Sequence, residues 1–222
     1  MADVAAFDFD GTLTEGGSVF GFLATVAGPR TVLSATLALA PRLAYAALTA
    51  GTVADRTKER LFERVLAGIP VEHVNEVGTR FGQEHLARRG RSDVRERFEW
   101  HRRRGDQVVI VSASPEVYVR AAGDRLGADG VIATGLEVSA DGILTGRYEG
   151  SNCRGDEKLR RLRLWIDECG APPERLWAYG DSRGDLTMLR AADVGVNAGR
   201  LGRFGQLRSF STLDQTSPDG DD

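Results

Sequence analysis

The chain contains few of the residues that build disulfide frameworks, soft-metal sites or nucleic-acid surfaces. Its 222 residues include two cysteines, Cys153 and Cys169, and three histidines. This content argues against a disulfide scaffold or a zinc site, and it fits a reducing compartment. The formal net charge of −3 gives no large positive field. We therefore expect no nucleic-acid partner.

The two ends of the sequence also lack particular signals. No basic and apolar leader precedes Asp3, which predicts a cytoplasmic protein. Residues 206–222 lose the apolar pattern and finish in polar and acidic residues, so we expect a disordered acidic tail. The remaining chain, with 41% apolar residues overall, can bury one sizeable core.

Short apolar segments alternate with stretches long enough for helices. The expected strands lie near residues 4–9, 107–112, 131–134, 176–179 and 193–196. This alternation predicts an α/β fold with a parallel sheet covered on both faces. We also expect a helix over about 156–168, a hairpin over 136–144, and a helix that Ser114 and Pro115 cap and start.

A long segment with helical periodicity and little strand character separates the first two apolar strands. Residues 15–91 are far more than one crossover needs. They predict a helical cap inserted into a core made of residues 1–14 and 92–205. The two hinges would lie near residues 14–18 and 88–92.

Asp8 and Asp10 directly follow the apolar segment 4–7. Two carboxylates this close at the end of a buried strand repel each other unless a cation joins them. The pattern therefore predicts a divalent metal. Gly11 permits a close turn in which backbone amides can approach an anion.

Three further polar segments follow in order along the chain. Ser112 ends an apolar strand, Lys158 lies in the helix-forming stretch, and Asp181 and Asp185 follow the strand near 176–179. Together with Asp8-Phe9-Asp10-Gly11-Thr12, these segments resemble the four motifs of the haloacid dehalogenase-like superfamily. The closest resemblance is to its branch of phosphoserine phosphatases. It implies a Rossmann-like core, a helical cap and a phosphatase activity.

The resemblance also assigns chemical roles. Asp8 would be the nucleophile that becomes an aspartyl phosphate, and Asp10 the general acid and base. Lys158 would offset the negative charge of the nucleophile and of the phosphoryl group. The expected function is a magnesium-dependent phosphatase acting on a small phosphomonoester.

The remaining site residues divide into a phosphate set and a metal set. Phosphate oxygens would be held by Gly11, Ser112, Ala113 and Lys158. The metal would be held by Asp8, Asp181 and the backbone carbonyl of Asp10, with Asp185 orienting metal-bound water or Lys158. Oxygen-only ligands of this kind suit Mg²⁺.

The substrate is less constrained than the reaction. Gly17 and Phe62 stand where phosphoserine phosphatases place a glutamate and an arginine that bind serine, and Gly184 replaces an asparagine. The alternatives are phosphoserine itself, a lipid phosphate as in a similar phosphatidylglycerophosphatase, and a phosphate-binding regulatory protein without turnover. The cap residues expected to face the substrate are Phe20, Phe22, Arg56 and Lys58.

One segment of the expected cap is unusually apolar. Residues 31–51 contain Arg42 as their only charge. They predict either two buried cap helices separated at Pro41 or a surface that contacts lipid as a peripheral membrane protein. The arginine-rich stretch 88–104 is either a solvated helix face or a contact for anionic headgroups.

Overall fold

Eight strands form one main sheet and one hairpin in the computed structural model, which describes residues 2–49, 52–170, 172–199 and 205–216. In chain order they are β1 (Val4–Phe7), β2 (Gln107–Pro115), β3 (Gly130–Thr134), β4 (Leu136–Val138), β5 (Leu144–Tyr148), β6 (Leu176–Gly180), β7 (Val194–Asn197) and β8 (Ser211–Thr212). The main sheet has the order β3-β2-β1-β6-β7-β8, and its pairs are parallel. β4 and β5 pair antiparallel, as the expected hairpin requires.

Eight α-helices surround these strands in the described chain. They are α1 (Val19–Ala27), α2 (Pro29–Thr49), α3 (Thr52–Leu66), α4 (Val71–Arg89), α5 (Ser92–Arg104), α6 (Glu116–Leu126), α7 (Asp156–Glu168) and α8 (Leu186–Ala191). The alternation of apolar strands with helices produces the parallel α/β architecture that the sequence predicts. None of the helices in the described ranges is long and apolar enough to cross a membrane.

The central strand β1 is buried on both of its faces. Ala5, Ala6 and Phe7 have no exposed surface, as is typical of a strand between two layers of helices. Phe7 pairs with Ile110 of β2 and with Tyr179 of β6. The carboxyl ends of these three strands therefore meet at one edge of the sheet, where the residues that follow them converge.

The chain crosses from the sheet to helices α1–α4 and back at two adjacent points. Thr14 forms an isolated bridge with Gly90. The amide of Glu15 donates to the carbonyl of Arg89 at 2.8 Å, and the amide of Arg91 donates to that of Leu13 at 3.0 Å. These crossings lie at the expected hinges. The division into a cap of residues 15–91 and a surrounding core stays a prediction.

Helix α2 differs from the expected pair of buried helices. It is one helix that continues through Pro41. Pro41 lies on the exposed side, where water can hydrate the backbone groups that lose a helical hydrogen bond. Leu39 is buried, whereas Leu37 is 66% exposed. The expectation of two buried helices is therefore wrong.

The end of the chain is more ordered than its composition predicts. Residues Gly205–Ser209 and Leu213–Gln215 form short 3₁₀-helices on either side of β8. β8 pairs with β7, and Leu207 is buried against the core. The prediction of a disordered tail is therefore wrong for residues 206–216. Residues 217–222 lie outside the described chain.

The junction between β2 and α6 also differs from the expectation. Strand β2 extends to Pro115, and α6 begins at Glu116 without a side-chain cap. Proline disfavours a helical conformation in the residue before it, so Ser114 stays extended. The prediction that Ser114 caps the helix is wrong, and its hydroxyl has another partner in the site described below.

Candidate active site

Four segments that lie far apart in the sequence converge at the carboxyl edge of the sheet. Asp8 directly follows β1, and Ser112 lies near the end of β2. Asp181 and Asp185 follow β6, while Lys158 lies in the first turn of α7. Because the strands are parallel, the sheet brings these polar side chains to one edge, as the sequence predicts.

Lys158 joins two of the aspartates. Its Nζ atom donates to Oδ1 of Asp8 at 2.5 Å and to Oδ1 of Asp185 at 2.6 Å. All three side chains are buried. A buried charge needs a partner of opposite sign, and this lysine has two. Most lysines on helices are solvated surface charges, whereas Lys158 is buried.

The surroundings shift the protonation equilibria of these groups. Burial, and then the charge of Asp185, raise the pKa of Asp8 well above its ordinary value, and Lys158 opposes this shift only in part. Burial alone would lower the pKa of Lys158, but the charges of Asp185 and Asp8 outweigh it and raise that pKa. Burial and Asp185 raise the pKa of Asp181 to about 6. One lysine therefore does not compensate all the carboxylates.

Three carboxylates form a cluster that can hold a cation. One oxygen each from Asp8, Asp181 and Asp185 lie within 4.8 Å of one another. The Oδ1 atom of Asp181 is buried and has no hydrogen-bond partner among the described residues. Such an oxygen, in an excess of carboxylates, fits a hard divalent ion such as Mg²⁺. The residues present therefore fit the expected metal.

The side chain of Asp10 lies apart from this cluster. Its Oδ2 atom accepts hydrogen bonds from the hydroxyls of Ser18, at 2.8 Å, and Ser114, at 2.6 Å. Ser18 in turn lies 2.7 Å from the hydroxyl of Tyr118. The Oδ1 atom of Asp10 is buried without a partner in the described chain. A metal contact of Asp10 through its backbone carbonyl stays a prediction.

The residues expected to hold phosphate behave differently from one another. Ser112 and Ala113 line the cavity at this edge. The amide of Gly11 instead donates to the carbonyl of Thr14 at 2.8 Å, so it is not available to a phosphate oxygen. Gly11 has a φ of 88° and lies where a Cβ atom would collide with the carboxylate of Asp181. Position 11 therefore requires glycine, because any side chain would prevent the close approach of Asp181.

The cavity has a volume of about 160 Å³ and contains two further cations. Its lining consists of Asp8, Asp10, Val19, Lys58, Ser112, Ala113, Ser114, Arg154, Lys158, Ser182, Gly184 and Asp185. Lys58 enters from α3, and its Nζ atom donates to the carbonyl of Ala113 at 2.7 Å. Burial lowers the pKa of Lys58 to about 8.

Arg154 is a lining residue that the sequence analysis missed. Its side chain passes close to the Cα of Gly184, where a Cβ atom would lie 3.1 Å from its Nε atom. The missing side chain at position 184 therefore leaves room for Arg154. Arg154 lies four residues before Lys158, which is about one helical turn. This spacing could have indicated that both side chains reach the same site, although α7 itself begins only at Asp156.

The other cap candidates do not reach the cavity. Phe22 is fully buried in the apolar core, and Phe20 is 53% exposed. Arg56 lines a different surface depression. Phe62 is also fully buried, and Gly17 is exposed. Of the four predicted cap residues, only Lys58 lines the site.

Known proteins share both the sequence pattern and the fold of this chain. The sequence model of the haloacid dehalogenase-like hydrolase family matches residues 5–190. Protein CicA of Caulobacter vibrioides is 38% identical over 196 residues, which are 86% of this chain and 83% of that protein. Phosphoserine phosphatase SerB1 of Mycobacterium tuberculosis is 29% identical over 201 residues, which are 88% of this chain and 64% of that protein.

A solved structure of a substrate-bound phosphoserine phosphatase complex has the same fold. It covers 97% of this chain, and the match spans 94% of the solved chain, with a TM-score of 0.67 and 20% sequence identity. These comparisons confirm the predicted fold class and the predicted enzyme class, a phosphatase. The motif order, the sheet and the family match lead to one conclusion: the chain belongs to the haloacid dehalogenase-like hydrolase family.

Proposed function

We propose that this hydrolase is a magnesium-dependent phosphomonoesterase that transfers the phosphoryl group to Asp8. The observation that carries the proposal is the pairing of buried Lys158 with Asp8 and Asp185, beside a carboxylate cluster with an unpartnered oxygen on Asp181. A solvated or purely structural lysine would not need this arrangement. A nucleophile that must approach an anionic phosphate does need a fixed cation nearby.

The reaction divides between the two aspartates of the first motif. A carboxylate oxygen of Asp8 attacks phosphorus, the ester oxygen leaves, and the leaving oxygen takes the proton held by Asp10. Water then attacks the phosphorus of phospho-Asp8 and gives a proton to Asp10, which restores Asp8 and releases phosphate. Ser18 and Ser114 hold one oxygen of Asp10, so Oδ1 remains for proton transfer.

The other polar groups orient the phosphate and balance its charge. Lys158 would contact a phosphate oxygen while it keeps Asp8 in position. The hydroxyl of Ser112, which accepts the amide of Ser114 at 3.1 Å, can donate its proton to a second oxygen. Asp8, Asp181 and the backbone carbonyl of Asp10 would hold Mg²⁺, which when bound supplies positive charge to the carboxylates and to the phosphate. Asp185, which accepts from Lys158, would keep that lysine in position.

The leaving-group side of the cavity favours an acidic or apolar alcohol over serine. Val19, Lys58 and Arg154 line the cavity, and we assign them to the side of the leaving group. Phe62 and Gly17 provide no charge for the carboxylate and the ammonium of phosphoserine, and the ammonium would meet two cations. Removing the ammonium group of phosphoserine from water, without a carboxylate to pair with it, is unfavourable and weakens the binding of phosphoserine. A phosphoester whose alcohol carries a carboxylate and no amine fits these residues better.

Steady-state kinetics on matched esters test this proposal. With Mg²⁺ present, we expect kcat/KM for phosphoglycerate to exceed that for phosphoserine by about tenfold or more, the factor that one unpaired charge costs. p-Nitrophenyl phosphate serves as the reference for chemistry without leaving-group recognition. Efficient phosphoserine hydrolysis beside slow phosphoglycerate hydrolysis would refute the substrate assignment and leave the mechanism intact.

The same measurements address the two remaining alternatives. A short-chain lipid phosphate in the panel tests the predicted lipid phosphatase. A protein that binds phosphate without turnover would hydrolyse none of the esters, including p-nitrophenyl phosphate. That result would overturn the proposed activity as a whole.

A further inference from the structure

The outward face of α2 is apolar and carries no acidic residue. Leu33, Leu37 and Tyr45 are each more than half exposed, and Pro41 between them is exposed as well. These residues are four apart, so they lie along one side of the helix. We call these four residues the α2 stripe. The helix has two charged residues, Arg30 and Arg42, and both are exposed.

A basic depression lies beside the α2 stripe. It has a volume of about 380 Å³ and lies between α2 and α3. Its lining consists of Pro41, Arg42, Tyr45, Arg56, Thr57 and Arg60. No carboxylate lines it among the described residues. Three guanidinium groups around one depression would bind an anion such as a phosphate group.

Two acidic residues of α3, Asp55 and Glu59, have partners away from this depression. Asp55 accepts a hydrogen bond from Asn152 at 2.8 Å, and Glu59 accepts from the amide of Tyr148 at 3.4 Å. Both contacts lie on the side of the β4–β5 hairpin and its flanking loop. Asp55 and Glu59 therefore do not neutralise the positive charge of Arg56 and Arg60 within the depression, whose lining includes no carboxylate.

We propose that the α2 stripe and the basic depression dock this enzyme on a membrane surface rich in anionic phospholipid. An apolar helix face edged by arginines matches the boundary between acyl chains and anionic headgroups. A second copy of the chain fits less well. A twofold contact through this face would bring two sets of arginines together without an acidic partner.

The docking face points away from the active site. Lys58 lies midway between Arg56 and Arg60 in the sequence, so it projects from the opposite side of α3, and it lines the catalytic cavity. The cavity is therefore not covered when the outer face meets a membrane. Docking concerns where the enzyme works, and it does not require a lipid substrate.

Vesicle co-sedimentation with the full chain tests the proposal. We use vesicles of phosphatidylcholine alone and vesicles containing about one quarter phosphatidylglycerol, at low and at physiological salt. The wild-type protein is expected to bind the anionic vesicles at least tenfold more tightly than the neutral ones, and added salt should weaken this binding.

Two pairs of variants separate the apolar and the basic parts. Leu33→Ser with Leu37→Ser, and Arg42→Gln with Arg60→Gln, should each weaken binding about tenfold or more. The matched controls are Leu164→Ser, on α7 and 49% exposed, and Arg103→Gln, on the exposed side of α5. Turnover of p-nitrophenyl phosphate by every variant reports that the fold is intact.

Several results would overturn the docking proposal. These are equal binding to neutral and anionic vesicles, no binding to either, or equal losses in the control variants. Light scattering gives a further decisive outcome. A wild-type dimer that the Leu33→Ser, Leu37→Ser protein cannot form, without vesicle binding, would assign the face to a second copy of the chain. Because vesicle binding is measured without turnover, its failure leaves the proposed phosphatase activity untouched.

Discussion

Lys158 lies between two aspartates and beside a third, so one positive charge faces at least two negative ones. The pKa of Asp8 and that of Asp181 are both raised, chiefly by burial. The site therefore resists full ionisation until another cation enters it. If these carboxylates bind a metal, as we propose, their residual charge should limit the stability of the metal-free protein.

Replacing the proposed nucleophile separates the chemistry from the fold. Asp8→Asn keeps the shape of the side chain but removes the attacking charge, so we expect turnover of p-nitrophenyl phosphate to fall by about 10³-fold or more. Asp10→Asn is the companion variant, and it should still form phospho-Asp8 from this good leaving group while hydrolysing it slowly. A folded Asp8→Asn protein with wild-type turnover would contradict the role of Asp8.

The raised pKa of Asp181 predicts how its replacement changes stability. Its pKa rises from 3.8 to about 6 on folding, so the native state holds the proton more tightly, and ionisation destabilises the metal-free protein as pH rises through this window. Asp181→Asn should therefore stabilise the metal-free protein by roughly 1–3 kcal/mol near pH 7, and by less near pH 4.

Thermal unfolding in a chelator and in Mg²⁺ checks this prediction. The order of stability should reverse when Mg²⁺ is added, because only the wild-type protein keeps this carboxylate as a ligand. Glu168→Gln, an exposed change near the end of α7, is the control. If the Asp181→Asn protein is less stable than the wild type in the chelator at pH 7, then the ionised Asp181 side chain does not destabilise the metal-free fold, and the prediction is wrong.

Among the elements, α3 presents basic side chains to two different cavities on opposite sides. Lys58 faces the catalytic cavity, whereas Arg56 and Arg60 face the surface depression. The sequence analysis predicts that both Arg56 and Lys58 face the substrate. Charge and spacing alone do not show which side of a helix faces a cavity, so this prediction is wrong for Arg56. Contacts with Ala113 on one side and with α2 on the other fix that orientation.

Lys58→Met tests whether α3 selects the substrate. The variant loses the cation but keeps most of the side-chain volume, so kcat/KM for phosphoglycerate should fall about tenfold or more. Turnover of p-nitrophenyl phosphate should change by less than about threefold, because that ester has no second anionic group. Arg60→Gln, on the other side of α3, should change neither value. Equal losses on both esters would show that Lys58 acts on the phosphoryl group instead.

The elements also show which signals a sequence contains. Helix α7 and the sheet were predictable because their periodicity and the placement of Asp8, Lys158 and Asp181 are local patterns. The hydrogen bond from Ser114 to Asp10 was not, because it joins residues far apart in the sequence. The contact of Arg154 with Gly184 likewise depends on tertiary packing.

On the scale of the whole molecule, Arg91 connects three parts of the chain. It is 3% exposed, lies at the return crossing from α4, and donates through Nη1 to the carbonyls of Gly11, at 2.9 Å, and Ala198, at 2.5 Å. Its guanidinium also pairs with Asp93 at 2.6 Å. The loop that carries Asp8 and Asp10 is therefore attached to the crossing and to the segment after β7.

Removing this connection should destabilise the protein. Arg91→Met leaves the carbonyls of Gly11 and Ala198 without this donor, and we expect a loss of about 2–4 kcal/mol in the free energy of unfolding. Urea unfolding measures the loss, with Arg95→Met, an exposed change one turn further along α5, as the control. Similar stability in both variants would contradict the role of Arg91.

The tail is a second feature of the whole molecule that composition did not reveal. Residues 206–216 are mostly polar, yet β8 extends the sheet beside β7, Leu207 is buried, and Phe210 and Leu213 pack against the core. A few backbone hydrogen bonds and these three apolar side chains order the segment along the edge of the sheet. Composition describes the segment alone and contains no information about the sheet edge that it pairs with.

The adjacent crossings at Thr14 and Gly90 have a consequence for insertions and deletions. Because the two ends of the intervening segment already lie side by side, the folded sheet sets the distance that any inserted chain must close. Loop-closure entropy then grows only slowly with the length of the insert, by roughly 0.6 kcal/mol for each doubling. Segments of very different length and shape can therefore replace one another at this point without altering the order of the strands.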